Sequence, residues 1–155
     1  MITVIGFTPV PSAVVDIDNI DVAFAYGLEA EVEFDMTDYL SVFANIGLLE
    51  TELEEINFDG EVETREFGTA PPVSAFFGVN ITPTDNLRVS AQFRYADRFE
   101  SDTRADPDEA IDDIFIANLN ASYRLGSAEV YAYVDNLFDE FFVTNVSNGG
   151  QFAFP

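Results

Sequence analysis

The stretch that decides the fold runs from Phe115 to Asp139: F-I-A-N-L-N-A-S-Y-R-L-G-S-A-E-V-Y-A-Y-V-D-N-L-F-D. Phe115, Ala117, Leu119, Ala121, Tyr123 and Leu125 fall on one parity, with Asn118, Asn120, Ser122 and Arg124 on the other. That period of two is the signature of a strand with one apolar face. Gly126-Ser127 then reverses the chain into a second run, Ala128–Asp135. By itself the second run is ambiguous, because Val130, Ala132 and Val134 compete with Tyr131 and Tyr133 for the apolar face. The turn resolves it. A two-residue type II′ loop pairs Leu125 with Ala128 and Arg124 with Glu129. Opposite charges directly across strands contribute roughly 0.2–1 kcal/mol. Glu129 therefore joins Arg124 on the polar face, and Val130, Ala132 and Val134 continue the apolar one.

The same alternation extends upstream through four more runs. They are Ala25–Phe34, Leu40–Leu48, Val73–Ile81 and Leu87–Tyr95. The connections alternate between short and long. Short turns are expected at Met36–Asp38, at Thr82–Asn86 and at Gly126-Ser127, and long acidic loops at about 50–72 and 97–113. Every charge within the runs lies on the polar parity: Glu29, Glu31, Glu33, Arg88, Arg94, Arg124, Glu129 and Asp135. Aromatics of the apolar parity sit near run ends, at Tyr26, Phe34, Phe93, Tyr95, Phe115 and Tyr123.

These features predict an all-β chain, an antiparallel up-and-down meander of about six long strands. Runs of nine to eleven residues exceed the usual globular strand of about five or six. They match the ~9–11 residues of a tilted membrane strand. Long loops at one end, short turns at the other, and aromatic girdles flanking a plain Ala/Val band are the marks of a transmembrane barrel. The charge-free parity then faces lipid and the charged parity a wet lumen. Six strands cannot close such a barrel, since bacterial barrels begin at eight. The expected object is therefore a partial transmembrane β-barrel. A soluble secreted β-sandwich or adhesin-like binding module is the alternative, since it alternates too. A small passive outer-membrane barrel is another.

Composition narrows the function. The chain has 155 residues and a formal net charge of −23, with 29 acidic residues against 6 basic ones, all arginine. Nucleic-acid binding is excluded, because neutralising phosphates requires cations. There is no Cys and no His, so thiolate nucleophiles, histidine bases and the usual zinc ligands are absent. No nucleophile–base pair or metal cluster is apparent, and neither an enzyme nor a cofactor is expected.

The end of the quoted stretch carries a resemblance. Val134-Asp135-Asn136-Leu137-Phe138-Asp139, followed by an aromatic, resembles the "NLFD" signature of TonB-dependent outer-membrane receptors. Tyr26–Glu31 is similar to that family's "G-l-E-x-E" strand, Thr69-Ala70-Pro71 to its "a-P" entry, and Asn118–Tyr123 to its "n-l-x-x-x-Y" strand. The resemblance implies that residues 23–155 correspond to strands 16–21 of a 22-stranded barrel, with the final strand not included. Residues 1–22 would be a loop or the remnant of a preceding strand. It further implies a Gram-negative outer membrane as the location and active uptake of a scarce solute such as siderophore-bound iron, cobalamin or an oligosaccharide. The implied partners are membrane lipid, the remaining barrel strands, and a plug domain through which the TonB complex acts. Asn136, Leu137, Phe138 and Asp139 are then the family motif, read as a structural device ending a strand. Glu29, Glu31, Glu33, Arg88, Arg94, Arg124 and Glu129 are the lumen-facing candidates.

Other readings compete at individual sites. The Glu29/Glu31/Glu33 ladder could supply a glycosidase-like carboxylate pair, but a wet wall accounts for it more simply. The arginines could meet an anionic ligand, or form ion pairs with the plug or nearby Glu. Asp16–Asp21 resembles half a calcium loop, without the central Gly and distal Glu. The acidic loops could weakly hold divalent cations. Asn80, Asn120 and Asn145 head glycosylation-like triplets, the first two inside strands.

Overall fold

The computed structural model describes residues 22–56, 60–102, 110–147 and 150–154. Asp16–Asp21 and the start of the chain lie outside these residues. Eleven strands follow one another: β1 (Val22–Thr37), β2 (Leu40–Ile56), β3 (Val62–Arg65), β4 (Val73–Thr84), β5 (Leu87–Ala96), β6 (Phe99–Glu100), β7 (Ala110–Ile111), β8 (Ile114–Leu125), β9 (Ala128–Val134), β10 (Phe142–Ser147) and β11 (Gly150–Phe154). The six expected runs are β1, β2, β4, β5, β8 and β9. They form one antiparallel sheet in sequence order, with β3 added against the far end of β2.

The register agrees with the parity argument at every strand. Val32 faces Ala44, Ala44 faces Phe77, and Phe77 faces Phe93, which faces Ala117. One row further, Glu31, Asn45, Phe76, Arg94 and Ile116 line up on the opposite face. Arg124 pairs with Glu129 and Leu125 with Ala128 across the last turn. Gly126 has φ +60°, and Ser127 is not among the residues of positive φ. One left-handed residue, placed first, is the type II′ geometry. Only glycine adopts that φ freely, so Gly126→Ala is expected to cost about 1–2 kcal/mol. Urea midpoints of the folded chain in detergent would read this, and an unchanged midpoint would mean that the turn relaxes.

The sheet is a single layer. Each of its strands makes its substantial contacts with the strands hydrogen-bonded to it. A sandwich needs a second sheet over Leu28, Val89 and Leu119, and among the described residues there is none. Leu28, Val32 and Phe34 are 66%, 57% and 60% exposed, and Val89 and Leu119 are half-buried by their neighbours within the layer.

The two ends of the sheet differ. The short turns are stitched together sideways: Thr82 N–H donates to Tyr39 O (2.8 Å), and Arg124 N–H to Asn86 O (2.9 Å). The first turn sits at Asp38-Tyr39, because β1 runs on to Thr37 through an irregularity after Asp35.

The long connections depart from the expected loops. β2 continues to Ile56, and β3 folds back on it, pairing Leu53 with Arg65. The alternation changes sides here: Leu49, Thr51 and Leu53 fall on the parity of Phe43 and Asn45, while Glu50, Glu52 and Glu54 take that of Leu48, and Leu53 is buried. β6 and β7 form a small ribbon prolonging the β5–β8 hairpin. Ile111 on β7 is buried, and the buried Ser101 hydroxyl donates to Val146 O on β10 at 2.9 Å. Thr69 N–H donates to Glu100 O at 2.7 Å. β10 and β11 pair with each other as a separate hairpin. The outer edges of β1 and β9 have no strand partner among the described residues.

Candidate functional site

Three features of the sheet bear on function: the strand-end knot, the polar face and the apolar face.

The knot begins where β9 stops alternating. Asn136 (φ +51°) and Asp139 (φ +54°) are both left-handed, a conformation that Asn and Asp tolerate better than most side chains. Asp139 N–H donates to Asn136 O at 2.9 Å, closing a turn. The Asn136 side chain bonds the backbone of Glu140 twice: its Nδ2 donates to Glu140 O (2.9 Å) and its Oδ1 accepts from Glu140 N–H (3.0 Å). On the other side, Asn136 N–H donates to Asn118 Oδ1 at 2.9 Å, and Leu137 N–H donates to Ala117 O at 2.7 Å. The knot is therefore riveted to β8. The "n-l-x-x-x-Y" and "NLFD" segments are two halves of one device, joined at Asn118. The sequence reading did not assign Asn118 this task. The signal was available, since the Gly-Ser register brings Asn118 beside the start of the knot.

Phe138 turns onto the apolar face and stacks on Phe115 (centroids 6.3 Å apart, planes at 18°). Phe115 stacks on Phe93 at 6.0 Å, and Phe93 on Phe77 at 5.1 Å, both with planes at 20°. Four near-parallel rings thus cross β4, β5 and β8 and end on the knot. Such pairs are worth about 0.5–1.5 kcal/mol each beyond their burial.

The seven charged candidates all occupy the polar face, but they do not form one cluster. Glu29, Glu31 and Glu33 stand exposed on the edge strand β1, opposite Gly47, Asn45 and Phe43. Arg88, Arg124 and Glu129 gather at the short-turn end, around a cavity of about 270 Å³ that Ser122, Thr82 and Asn86 also line. Tyr131 Oη donates to Glu129 Oε2 at 2.6 Å there. Arg94 lies six residues along β5 from Arg88, roughly 20 Å at the usual strand rise, between Phe76 and Ile116. Arg65 and Glu63 form an ion pair at 2.8 Å in the β3 region, away from these seven residues. A carboxylate ladder open to solvent on an edge strand has no partner group positioned for general acid–base work. Among the described residues no three potential metal ligands converge on one point. Asn80 and Asn120 sit inside β4 and β8, so their triplets are strand sequence.

Two solved structures share this architecture. The siderophore receptor PiuA from Acinetobacter baumannii aligns with a TM-score of 0.67 and 17% identity, over 84% of this chain and 20% of its own. The ferric-catecholate import receptor Fiu from E. coli K12, in its closed form, gives 0.67 and 18%, over 84% and 19%.

The fold of this chain is the one that the aligned parts of these two receptors adopt.

The chain spans about a fifth of the length of either receptor. No protein-family model matches it. At these identities the likeness is one of fold, and it agrees with the resemblance carried by Asn136–Asp139. A barrel wall is a single layer, which agrees with the lack of a covering sheet among the described residues. The matched proteins are transport receptors and not enzymes.

Proposed function

We propose that this chain is a wall segment of a TonB-dependent receptor in a Gram-negative outer membrane, and that the receptor actively takes up a ferric siderophore. The observation that carries the reading is the bare apolar face of a single-layer sheet, free of charge along the six membrane-length runs; Glu50, Glu52 and Glu54 take that parity on β2 past Leu48, paired with Tyr26, Phe24 and Val22. In water such a face would be a contiguous apolar patch far beyond what soluble monomers expose. Against acyl chains it is the required surface. Spacing supports this. Tyr26 and Phe34 on β1 are eight positions apart, as are Phe115 and Tyr123 on β8. Eight residues span about 26 Å along a strand and roughly 20 Å along the membrane normal at a 40° tilt, close to the ~25 Å apolar band of such barrels. Iron-siderophore cargo is preferred over cobalamin or oligosaccharide because both matched structures are siderophore or ferric-catecholate receptors by name.

In this reading residues 23–155 correspond to strands 16–21. The unpartnered edges of β1 and β9 are closed by the remaining strands of the same receptor. Glu29, Glu31, Glu33, Arg88, Arg94, Arg124 and Glu129 face a lumen occupied by a plug domain, through which the TonB complex supplies energy.

The chain contains no cysteine, so single spin labels test the wall directly. Labels at Val89→Cys, Ala91→Cys and Leu119→Cys, in the full-length receptor in lipid vesicles, should collide with membrane-dissolved oxygen. Labels at Ser90→Cys, Gln92→Cys and Asn120→Cys should be screened from it. Equal accessibility of positions 89, 91 and 119 to a water-soluble nickel complex would refute the assignment. Cargo is tested separately, by uptake of radioactive ferric siderophore into cells whose only receptor is the full-length protein.

A further inference from the structure

At the end of the sheet where the long connections rise, the polar face holds a cavity of about 680 Å³. Part of its lining is bare main chain, at Gly27 on β1 and Gly47 on β2. Glu29 faces Gly47 from β1, Ser74 faces it from β4, and Leu49 faces Gly27. These residues all share the polar parity. The segment 69–71 closes one side, and main-chain bonds tie it down at both ends. Thr69 N–H donates to Glu100 O at 2.7 Å, and Leu49 N–H donates to Pro72 O at 2.9 Å. The recess is therefore set by strand register and does not wait for a loop to close, as is usual for small-molecule sites. None of its lining residues is basic. The row that crosses it runs Glu29, Gly47, Ser74, Ala96, with no arginine. Glu29 is exposed, and Glu31 and Glu33 follow it along the same face.

We infer that this recess is a cargo subsite, and that the cargo is a ferric chelate without net negative charge, of the trihydroxamate class. It rests on the siderophore-uptake reading. The two glycines let a bulky chelate lie against the main chain, and Leu49 offers it an apolar contact. The Ser74 hydroxyl and the Glu29 carboxylate are acceptors for an N–H arm. Charge decides the class. Three hydroxamates cancel the charge of Fe(III), and a pendant amine makes the complex a cation. Three catecholates instead leave it a trianion. A recess carrying a carboxylate and no base, in a chain of net charge −23, draws in the cation and repels the trianion. At ~7–10 Å through water, one unit charge on the chelate changes its affinity about two- to threefold when the Glu29 charge is removed, so a trianion changes about five- to twentyfold. The likeness to Fiu, a ferric-catecholate receptor by name, is one of fold at 18% identity and does not fix the charge of the cargo.

The test is equilibrium binding of three chelates to the full-length receptor in detergent. They are ferrioxamine B (a trihydroxamate with a free ammonium), ferrioxamine E (its uncharged cyclic counterpart) and ferric enterobactin (a trianionic tris-catecholate). Affinity should fall in that order. Glu29→Gln should weaken ferrioxamine B about two- to threefold and strengthen ferric enterobactin about five- to twentyfold, with the uncharged chelate between them. Both shifts should shrink in high salt. Gly47→Val fills the recess. Its Cβ would meet only the Ser74 hydroxyl, at 2.9 Å, which can turn away, whereas a Cβ at Gly27 would lie 2.5 Å from Leu48 O. Gly47→Val should lower the affinity for both ferrioxamines about tenfold or more, as overpacking does. If ferric enterobactin binds as tightly as ferrioxamine B, the charge class is wrong. If the order holds but neither variant shifts it, the recess is not the subsite. If none of the three binds while labels at positions 89 and 119 still report lipid, the siderophore reading falls and the subsite with it, and the barrel wall stands.

Discussion

Replacing Asn136 with alanine should destabilise the folded protein by about 2–5 kcal/mol, although the side chain is small and partly exposed. Three losses add. The hydrogen bond from Nδ2 to Glu140 O and the one from Glu140 N–H to Oδ1 both disappear, at about 0.5–1.5 kcal/mol each. Alanine must also hold φ +51°, at a cost of about 1–2 kcal/mol. Two further variants separate these terms. Asn136→Gly relieves the backbone and loses only the bonds. Asn136→Asp keeps the acceptor for Glu140 N–H but places a carboxylate against Glu140 O. The expected order of stability is wild type, then Gly, then Ala, with Asp also below wild type. Urea titration of the reconstituted receptor, read by chymotryptic protection of the β10–β11 hairpin, which carries phenylalanine and no arginine, as well as globally, measures it. If alanine and glycine match wild type, the knot does not hold the strand end. Asn118→Ala should show a smaller loss, because it removes the single acceptor for Asn136 N–H.

Much of this fold could be read before any coordinates, and the reason is physical. In a single-layer sheet with different solvents on its two faces, every strand residue reports its side through its polarity. Slipping one strand by one position would bring Glu31 or Arg94 into the apolar face and penalise the whole strand. That is why Arg124–Glu129 could be placed from a two-residue turn, and why all seven charged candidates fell on one face. The outer connections were less legible. Their acids resemble solvated loop, and nothing local distinguishes Glu50–Ile56 as the continuation of β2 except Leu53, whose burial depends on partners distant in sequence. The ribbon of β6 and β7 spans two residues on each side, too short for any periodicity. Its anchor is Ser101 bonding Val146, 45 positions away. The Phe43–Phe76 contact was hidden for the opposite reason: phenylalanine in the polar series looks like noise in the alternation until the register sets the two rings side by side, with Phe43 over Gly78.

The electrostatic design follows from the same division. Of six arginines, three lie on the polar face of the long strands and none on the apolar face. Acids are excluded from the apolar face as far as Leu48 on β2, and Glu50, Glu52 and Glu54 take that parity beyond it, opposite Tyr26, Phe24 and Val22. In a protein with a net charge of −23, a neutral band of this length is what the cost of burying an unpaired charge in hydrocarbon would select.

That cost gives the second large effect. Arginine at Leu119, in the middle of β8, should destabilise the receptor in lipid by about 2–4 kcal/mol, while arginine at Leu125, near the short-turn rim, should cost about 0–1 kcal/mol. The sequence neighbour Asn120→Arg, on the polar face, should lie within about 0.5 kcal/mol of wild type, the ordinary range for surface changes. The contrast between positions 119 and 125 is the decisive part. Both are apolar residues of one strand on one face, and both side chains lie in a single layer without a covering sheet. If water bathed this face, Leu119→Arg and Leu125→Arg would be nearly equal and nearly neutral, because a guanidinium in water carries no desolvation term. If a second protein layer covered it, both would be costly in detergent and in lipid alike. Only a hydrocarbon slab produces a penalty that peaks at mid-strand and falls toward the aromatic rim. Repeating the series in bilayers of shorter acyl chains should narrow the band and lessen the penalty at position 119. A flat profile along β8 would remove the physical basis for placing this sheet in a membrane.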